Sequence, residues 1–178
     1  MTYAQLAAGV AHLPLNQIAE VPKEKLIFSE EVRRMCERND CGSYAKNWMC
    51  PPGVGPVAEW KERMLRYRTA VLFNYVGQLE DSFDIESMME AGKAFGGIVR
   101  EIKTVLDGAG ADYLLFGAGG CSLCPVCSYP QAPCRRPEEA IPSVEACGLF
   151  IAKLAEPCGF HYINGQNTVT HFGLVMLN

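Results

Sequence analysis

The clearest pattern of apolar and polar positions lies between residues 84 and 107. Apolar side chains recur there every three or four residues, as they do along one face of an α-helix. They are Ile85, Met88, Met89, Phe95, Ile98, Val99, Ile102, Val105 and Leu106. Gly108 and Gly110 follow the repeat, and glycine is common where a helix ends. The pattern therefore predicts a helix over residues 84–107 that packs one face against a sheet.

Runs of β-branched and aromatic residues predict strands on both sides of this helix. The first run covers residues 69–76, and the second covers residues 112–117. Residues 160–163 and 169–177 are predicted to form a terminal hairpin around Asn164-Gly165, a dipeptide that suits tight hairpin turns.

Three shorter helices are predicted from their first residues. Ser29, followed by two glutamates, is a suitable N-cap. Pro56 suits the first turn of a helix that reaches about Arg68. Ser143 is predicted to cap a helix that continues to about Ala155. Residues 1–28 are predicted to form a short helix and an extended arm.

The order of these elements predicts one α/β domain over residues 1–178, with residues 1–28 as an N-terminal arm. We expect a small mixed sheet of about four strands flanked by helices, with an α+β arrangement as the alternative. Cysteine-rich loops between the elements would hold metal.

Composition excludes several classes of protein. The chain has 49% hydrophobic and 20% charged residues and a formal net charge of −4, so neither nucleic acid nor a membrane surface is an expected partner. No secretory signal is evident, and a cytoplasmic protein is expected. The odd count of nine cysteines argues against a disulfide framework and favours metal binding.

The strongest candidate for a metal site is the run Cys121-x2-Cys124-x2-Cys127, with Cys134 after it. Three thiolates at this spacing can point at one inorganic cluster, and the first three cysteines are spaced as in bacterial ferredoxin loops. The fourth cysteine comes later than it does in those loops. Arg135 and Arg136 follow it, either as a solvated surface pair or as counter-charges to a cluster.

A second group of cysteines, Cys36, Cys41 and Cys50, lies upstream. Three ligands need a fourth for a closed site, and Cys147 is the candidate. Its predicted place in the first turn of a helix would lower the pKa of its thiol; the alternative is a buried core thiol. Cys158 is interpreted as a spare core thiol. Eight cysteines would then fill two four-cysteine sites.

Iron–sulfur clusters are favoured over zinc. Structural zinc sites usually show two C-x2-C pairs, often with histidine, whereas this chain has a cysteine triplet. Its three histidines, His12, His161 and His171, all lie outside the cysteine loops.

Two motifs resemble the signature of a prokaryotic family of predicted metal-binding proteins, defined by a cysteine-rich domain of unknown function. One is Cys36-x4-Cys41-Gly-Ser-Tyr-Ala-Lys-Asn-Trp-Met-Cys50-Pro-Pro. The other joins the downstream cysteines to Pro142-Ser-Val-Glu-Ala-Cys147-Gly. The resemblance implies a compact cytoplasmic protein with iron–sulfur clusters, and it strengthens Cys147 as a ligand. It implies no reaction.

These observations favour a carrier of one or two [4Fe–4S] clusters that exchanges single electrons with an unidentified redox partner. No nucleophile–base pair is evident, so a carrier is favoured over a catalyst acting on its own. One alternative is an enzyme whose open-site cluster binds substrate. Another is an interaction module stabilised by zinc.

Overall fold

Four antiparallel strands form the centre of the protein. The structure is a computed structural model and describes residues 1–178. The strands are β1 (Gln17–Val21), β2 (Thr69–Gln78), β3 (Tyr113–Phe116) and β4 (Thr168–Leu177). They lie side by side in the order β1-β2-β4-β3. The prediction of one small α/β domain with four strands flanked by helices is confirmed.

The directions of the strands correct one detail of the prediction, because every pairing is antiparallel rather than mixed. β2 and β3 run the same way and are joined by a long helix, a connection that normally produces a parallel pair. Here the C-terminal strand β4 lies between them and pairs with both. This insertion could not be read from the local pattern of either strand.

Five helices accompany the sheet: α1 (Tyr3–Gly9), α2 (Glu30–Met35), α3 (Val57–Leu65), α4 (Ile85–Gly108) and α5 (Ile151–Leu154). The Ser29 hydroxyl accepts hydrogen bonds from the backbone N–H groups of Glu31 and Val32, as an N-cap does. α4 matches the predicted helix to within one residue at each end. No helix in the chain combines the length and the apolar character needed to cross a membrane.

The two faces of the sheet bury two separate cores. Val71 and Phe73 of β2 point to the face covered by α1 and α4. Ala70 and Leu72 point to the opposite face, which is covered by α3, α5 and the segment around residues 144–160. The alternation along one strand thus supplies both cores, as the two-residue period of a strand requires. The cysteine loops extend from this layered body.

Gly173 in β4 shows how closely the layers approach. A Cβ atom at this position would lie 2.2 Å from the Phe73 ring and 2.7 Å from the Phe116 carbonyl oxygen. Only glycine fits here without displacing the core.

Two local predictions were wrong. Residues 144–148 form turns between two isolated bridge residues, Ser143 and Leu149. α5 begins only at Ile151, because Gly148 has a left-handed backbone with φ of 83°. Residues 160–163 form no strand, and β4 pairs with β2 and β3 instead of closing a hairpin with them. The arm of residues 1–28 contains an unpredicted strand, β1, at the edge of the sheet.

Candidate metal centre

The downstream cysteines lie on a long loop that leaves the end of β3 and returns beside it. Gly117 donates from its backbone N–H to the Pro142 carbonyl, and Val144 donates to the Gly117 carbonyl, both at 3.0 Å. These bonds form a short parallel bridge between Gly117 and Ser143. Both ends of the cysteine loop are therefore fixed at the edge of the sheet.

Hydrogen bonds within the loop fold it back on itself. The Ser128 hydroxyl donates to the Pro133 carbonyl at 2.7 Å. Arg136 donates from Nη1 to the Leu123 carbonyl at 3.1 Å, and Arg135 donates to the Val126 carbonyl. The two arginines therefore hydrogen-bond to the backbone of the C-x-x-C-x-x-C run, and they also place positive charge beside it.

The folded loop encloses a small cavity into which four cysteines converge. Its lining includes Cys121, Cys124, Cys127 and Cys134, together with Trp48, Met49 and both arginines. The cavity volume of about 20 Å³ is that of one or two water molecules. A larger inorganic group would require this loop to open wider.

The thiols of this group influence one another electrostatically. Burial raises the pKa of the Cys121 thiol above its usual value, and the neighbouring Cys134, Cys127 and Cys124 raise it further. The Leu123 backbone N–H opposes this by donating a hydrogen bond toward the sulfur. Metal binding at Cys121 requires loss of the thiol proton.

The upstream cysteines belong to a second loop, which follows α2. Cys36 ends α2, Cys41 is exposed and Cys50 is buried. Burial is the main cause that raises the pKa of both Cys36 and Cys50, and the nearby thiol of Cys41 raises each of them further. The structure thus brings these three cysteines into one neighbourhood.

The turns of this second loop are held by its own polar groups. Tyr44 donates from its backbone N–H to the Asn39 side chain at 2.9 Å. Ala45 donates to the Pro51 carbonyl at 2.7 Å, and Val54 donates to the Cys50 carbonyl at 3.0 Å. These bonds turn the chain back on itself after Cys41, so that Cys50 lies on the buried side of the loop.

Cys147 lies in a different setting from the one predicted. It is fully buried in the core and lies in a turn, not in the first turn of a helix. Burial raises the pKa of its thiol well above the usual value, although Arg33 and Arg63 oppose that change. The expected lowering of its pKa by a helix dipole was therefore wrong. Its role as a ligand stays a prediction.

Arg33 joins the upstream group to the turn that carries Cys147. Its Nη1 donates to the Gly55 carbonyl and to the Ala146 carbonyl, each at 2.8 Å. Its charge lowers the pKa of both Cys36 and Cys147. The guanidinium thus fixes the geometry here and offsets negative charge.

The two cysteine groups are packed directly against each other. A Cβ atom on Gly120 would lie 2.4 Å from the Ser43 hydroxyl oxygen. Trp48 donates from its indole N–H to the Ala132 carbonyl at 3.0 Å, and its ring meets Tyr129 edge-on at 4.9 Å. The backbone N–H of Cys121 also lies close enough to Cys50 to lower the pKa of that thiol.

The four downstream cysteines line one cavity, but their side chains are not arranged as a ready-made ion site. No three histidine, cysteine, aspartate or glutamate side chains are close enough together to hold one metal ion. A zinc ion would draw four thiolates to about 2.3 Å from one centre, whereas a cluster spreads them over several irons. Four cysteine thiolates are ligands that either zinc or an iron–sulfur cluster accepts, and the two arginines beside them can offset the thiolate charge.

Cys158 remains separate from both groups. It is half-buried against the core, and its pKa is affected by burial and by Lys25 but by no other cysteine.

Sequence reasoning missed two polar residues of the upstream group, Arg33 and Glu145. Arg33 lies three residues before Cys36 on α2, so the two share a helix face. Glu145 lies two residues before Cys147, and its charge raises the pKa of Cys36. The sequence did contain a signal for both residues, because each lies two or three positions before a candidate cysteine ligand.

The comparison with known protein families agrees with this chemistry. A family model described as "Predicted metal-binding protein (DUF2284)" matches residues 19–177. The chain belongs to this family. The match includes every cysteine of both groups, so the resemblance predicted from the two motifs is confirmed, and the protein is a predicted metal-binding protein. No curated protein matches the DUF2284 chain, and no solved structure matches it.

Proposed function

We propose that this DUF2284 protein binds a [4Fe–4S] cluster through Cys121, Cys124, Cys127 and Cys134, and exchanges single electrons with a partner protein. The observation that carries this proposal is the convergence of all four side chains on one cavity. When bound, such a cluster supplies one-electron redox chemistry.

The surrounding residues suit that role. Arg135 and Arg136 hold the loop carbonyls and would offset the negative charge of the thiolates. Trp48 and Met49 cover one side of the cavity and exclude water. Val126, which is 76% exposed, lies between Cys124 and Cys127. A partner that touches this loop tip would approach the ligands closely.

A second cluster is proposed at Cys36, Cys41, Cys50 and Cys147. Cys41 raises the pKa of both Cys36 and Cys50, and Cys36 raises that of Cys147. Arg33 lies between the loop and the Cys147 turn, where it can balance negative charge. We also propose a cytoplasmic location, because nine cysteines without a disulfide suit a reducing compartment.

An enzyme with an open-site cluster is the second candidate, and one observation favours it. Cys41 is exposed, whereas Cys147 is fully buried with a strongly raised pKa. If Cys147 stayed protonated, the upstream group would offer three ligands and leave one position for a substrate.

Spectroscopy of protein purified without oxygen tests the electron carrier. The carrier predicts a brown protein whose visible absorption bleaches on reduction and returns on oxidation. The reduced form should show an electron paramagnetic resonance signal of a one-electron centre. A colourless protein with no redox-dependent absorption would contradict the proposal.

A further inference from the structure

A groove of about 600 Å³ lies beside the downstream cysteine cavity. Its walls come from α3, from the upstream loop around residues 48–54 and from the returning arm of the downstream cysteine loop. Cys134 lines both the groove and the closed cavity. The volume falls in the range of small-molecule sites, roughly 300–1,000 Å³.

The walls of the groove are mainly apolar and rigid. The apolar lining includes Trp48, Trp60, Pro130, Pro133, Pro137 and Pro142. Both indole N–H groups are already occupied within the protein. Trp48 donates to the Ala132 carbonyl at 3.0 Å, and Trp60 donates to the Val54 carbonyl at 2.8 Å. The two rings therefore offer apolar surface to a ligand and no hydrogen-bond donors.

Arg63 is the only charged side chain among the residues that line the groove. Its guanidinium carbon lies 4.2 Å from the centre of the Trp60 ring. No carboxylate lies within ion-pair distance of it, whereas Arg66, on the following turn, is paired with Glu62. A guanidinium held against a ring keeps its N–H edge free for two-point contact with a carboxylate.

We propose that this groove binds a small aromatic carboxylate. The carboxylate would pair with Arg63, and the flat apolar body would lie between the tryptophan rings and the prolines. A ligand held in this way would lie alongside Cys134. This inference goes beyond the electron carrier, and the binding step requires no electron transfer, so the two proposals can fail separately.

Calorimetry on the purified protein, handled without oxygen, tests the site. The probes are benzoate, phenylacetate and indole-3-acetate, each paired with its neutral amide, and inorganic phosphate. We expect at least one carboxylate to bind with a one-to-one ratio, and about tenfold or more tighter than its amide, because a charged hydrogen-bond pair is lost in the amide. Phosphate should bind more weakly, because it lacks the apolar body.

Two variants locate the binding. Arg63→Gln should weaken carboxylate binding by about tenfold or more, and Arg66→Gln, on the same helix but outside the groove, should leave it unchanged. The groove contains both tryptophans of the chain, so their fluorescence should change on binding. The proposal is overturned if no carboxylate binds, if the amides or phosphate bind equally well, or if Arg63→Gln binds like the unaltered protein.

Discussion

The two cysteine groups differ in how the fold assembles them. The downstream group lies within one loop, fixed at the sheet edge by the Gly117–Ser143 bridge. The upstream group draws on the end of α2, the following loop and, with Cys147, a turn far along the chain. The first depends on local loop structure, and the second depends on the packing of the whole domain.

The setting of the thiols differs as well. All four downstream cysteines are partly exposed, whereas Cys50 and Cys147 are buried. Both groups have arginines, but the downstream arginines are on the cysteine loop itself and Arg33 bridges separate segments. We infer that the downstream group is the more accessible to a partner, and that the upstream group is the more strongly coupled to stability.

The largest expected effect comes from removing a downstream cysteine. Cys124→Ser or Cys127→Ser should abolish metal binding at this group, since serine cannot replace a thiolate ligand. Metal analysis of oxygen-free protein should show the loss of one complete cluster from each variant. Cys158→Ser should retain all of its metal. Full metal content in both downstream variants would contradict the assignment.

Cys147→Ala distinguishes a closed upstream site, in which Cys147 is the fourth ligand, from an open site with three cysteine ligands. Alanine removes the thiol without burying a hydroxyl, so the change tests ligation with little added polarity. A closed site should lose the metal of the upstream group while the downstream metal is retained. Unchanged metal content would instead support an open three-cysteine site, as the enzyme alternative requires.

Gly120→Ala tests the contact between the two loops. The new methyl group would overlap the Ser43 hydroxyl, and such overpacking typically costs about 1–3 kcal/mol. Denaturant unfolding should show this loss, and adding Ser43→Gly should restore part of it. Gly97→Ala, where nothing lies within 4 Å of the new atom, is the control and should be neutral or stabilising. Equal stability of Gly120→Ala and the unaltered protein would refute the close packing.

Arg136→Gln should have a smaller effect on stability. Its pair with Glu139 is exposed, and such pairs contribute up to about 1 kcal/mol. The expected signature is electrostatic: loss of a positive charge beside an anionic cluster should make its midpoint potential more negative. A redox titration measures this, with Arg66→Gln as the control because Arg66 pairs with Glu62 at the end of α3, outside both cysteine groups. Identical potentials would argue against a counter-charge role.

The smallest expected effect is on the pH dependence of stability and concerns His171. Burial between β4 and α4 lowers the pKa of His171, whose Nε2 has no hydrogen-bond partner. The neutral imidazole is thus favoured in the folded protein. In the unfolded protein the pKa of this histidine is about 6.5. The free energy of unfolding should therefore fall as the pH drops below that value and toward the lower pKa of the folded protein. In thermal unfolding, His171→Phe should show a weaker decline over that range. Parallel pH profiles for the two proteins would refute this.

The sequence predicted the parts of the fold that depend on local periodicity. The repeat on α4 and the β-branched run of β2 identify these elements unaided. The position of β4 between β2 and β3 depends on pairing between distant segments, and no local pattern encodes it. The same holds for residues 143–150, where Gly148 and contacts with distant segments override the helical spacing.

The cysteine site was predictable only in part for the same reason. The spacing of Cys121, Cys124 and Cys127 indicates convergence, because the loop that joins them is short. The inclusion of Trp48 and Met49 in the same cavity depends on how two separate loops pack. The groove at Arg63 likewise exists only because α3 lies opposite a proline-rich arm.

The most direct test of the central claim is the iron, zinc and acid-labile sulfide content of protein purified without oxygen. The account predicts iron and sulfide in equal amounts, at about four of each per cluster for one or two clusters per chain, with little zinc. Stoichiometric zinc without sulfide would contradict it and would favour a zinc-stabilised module.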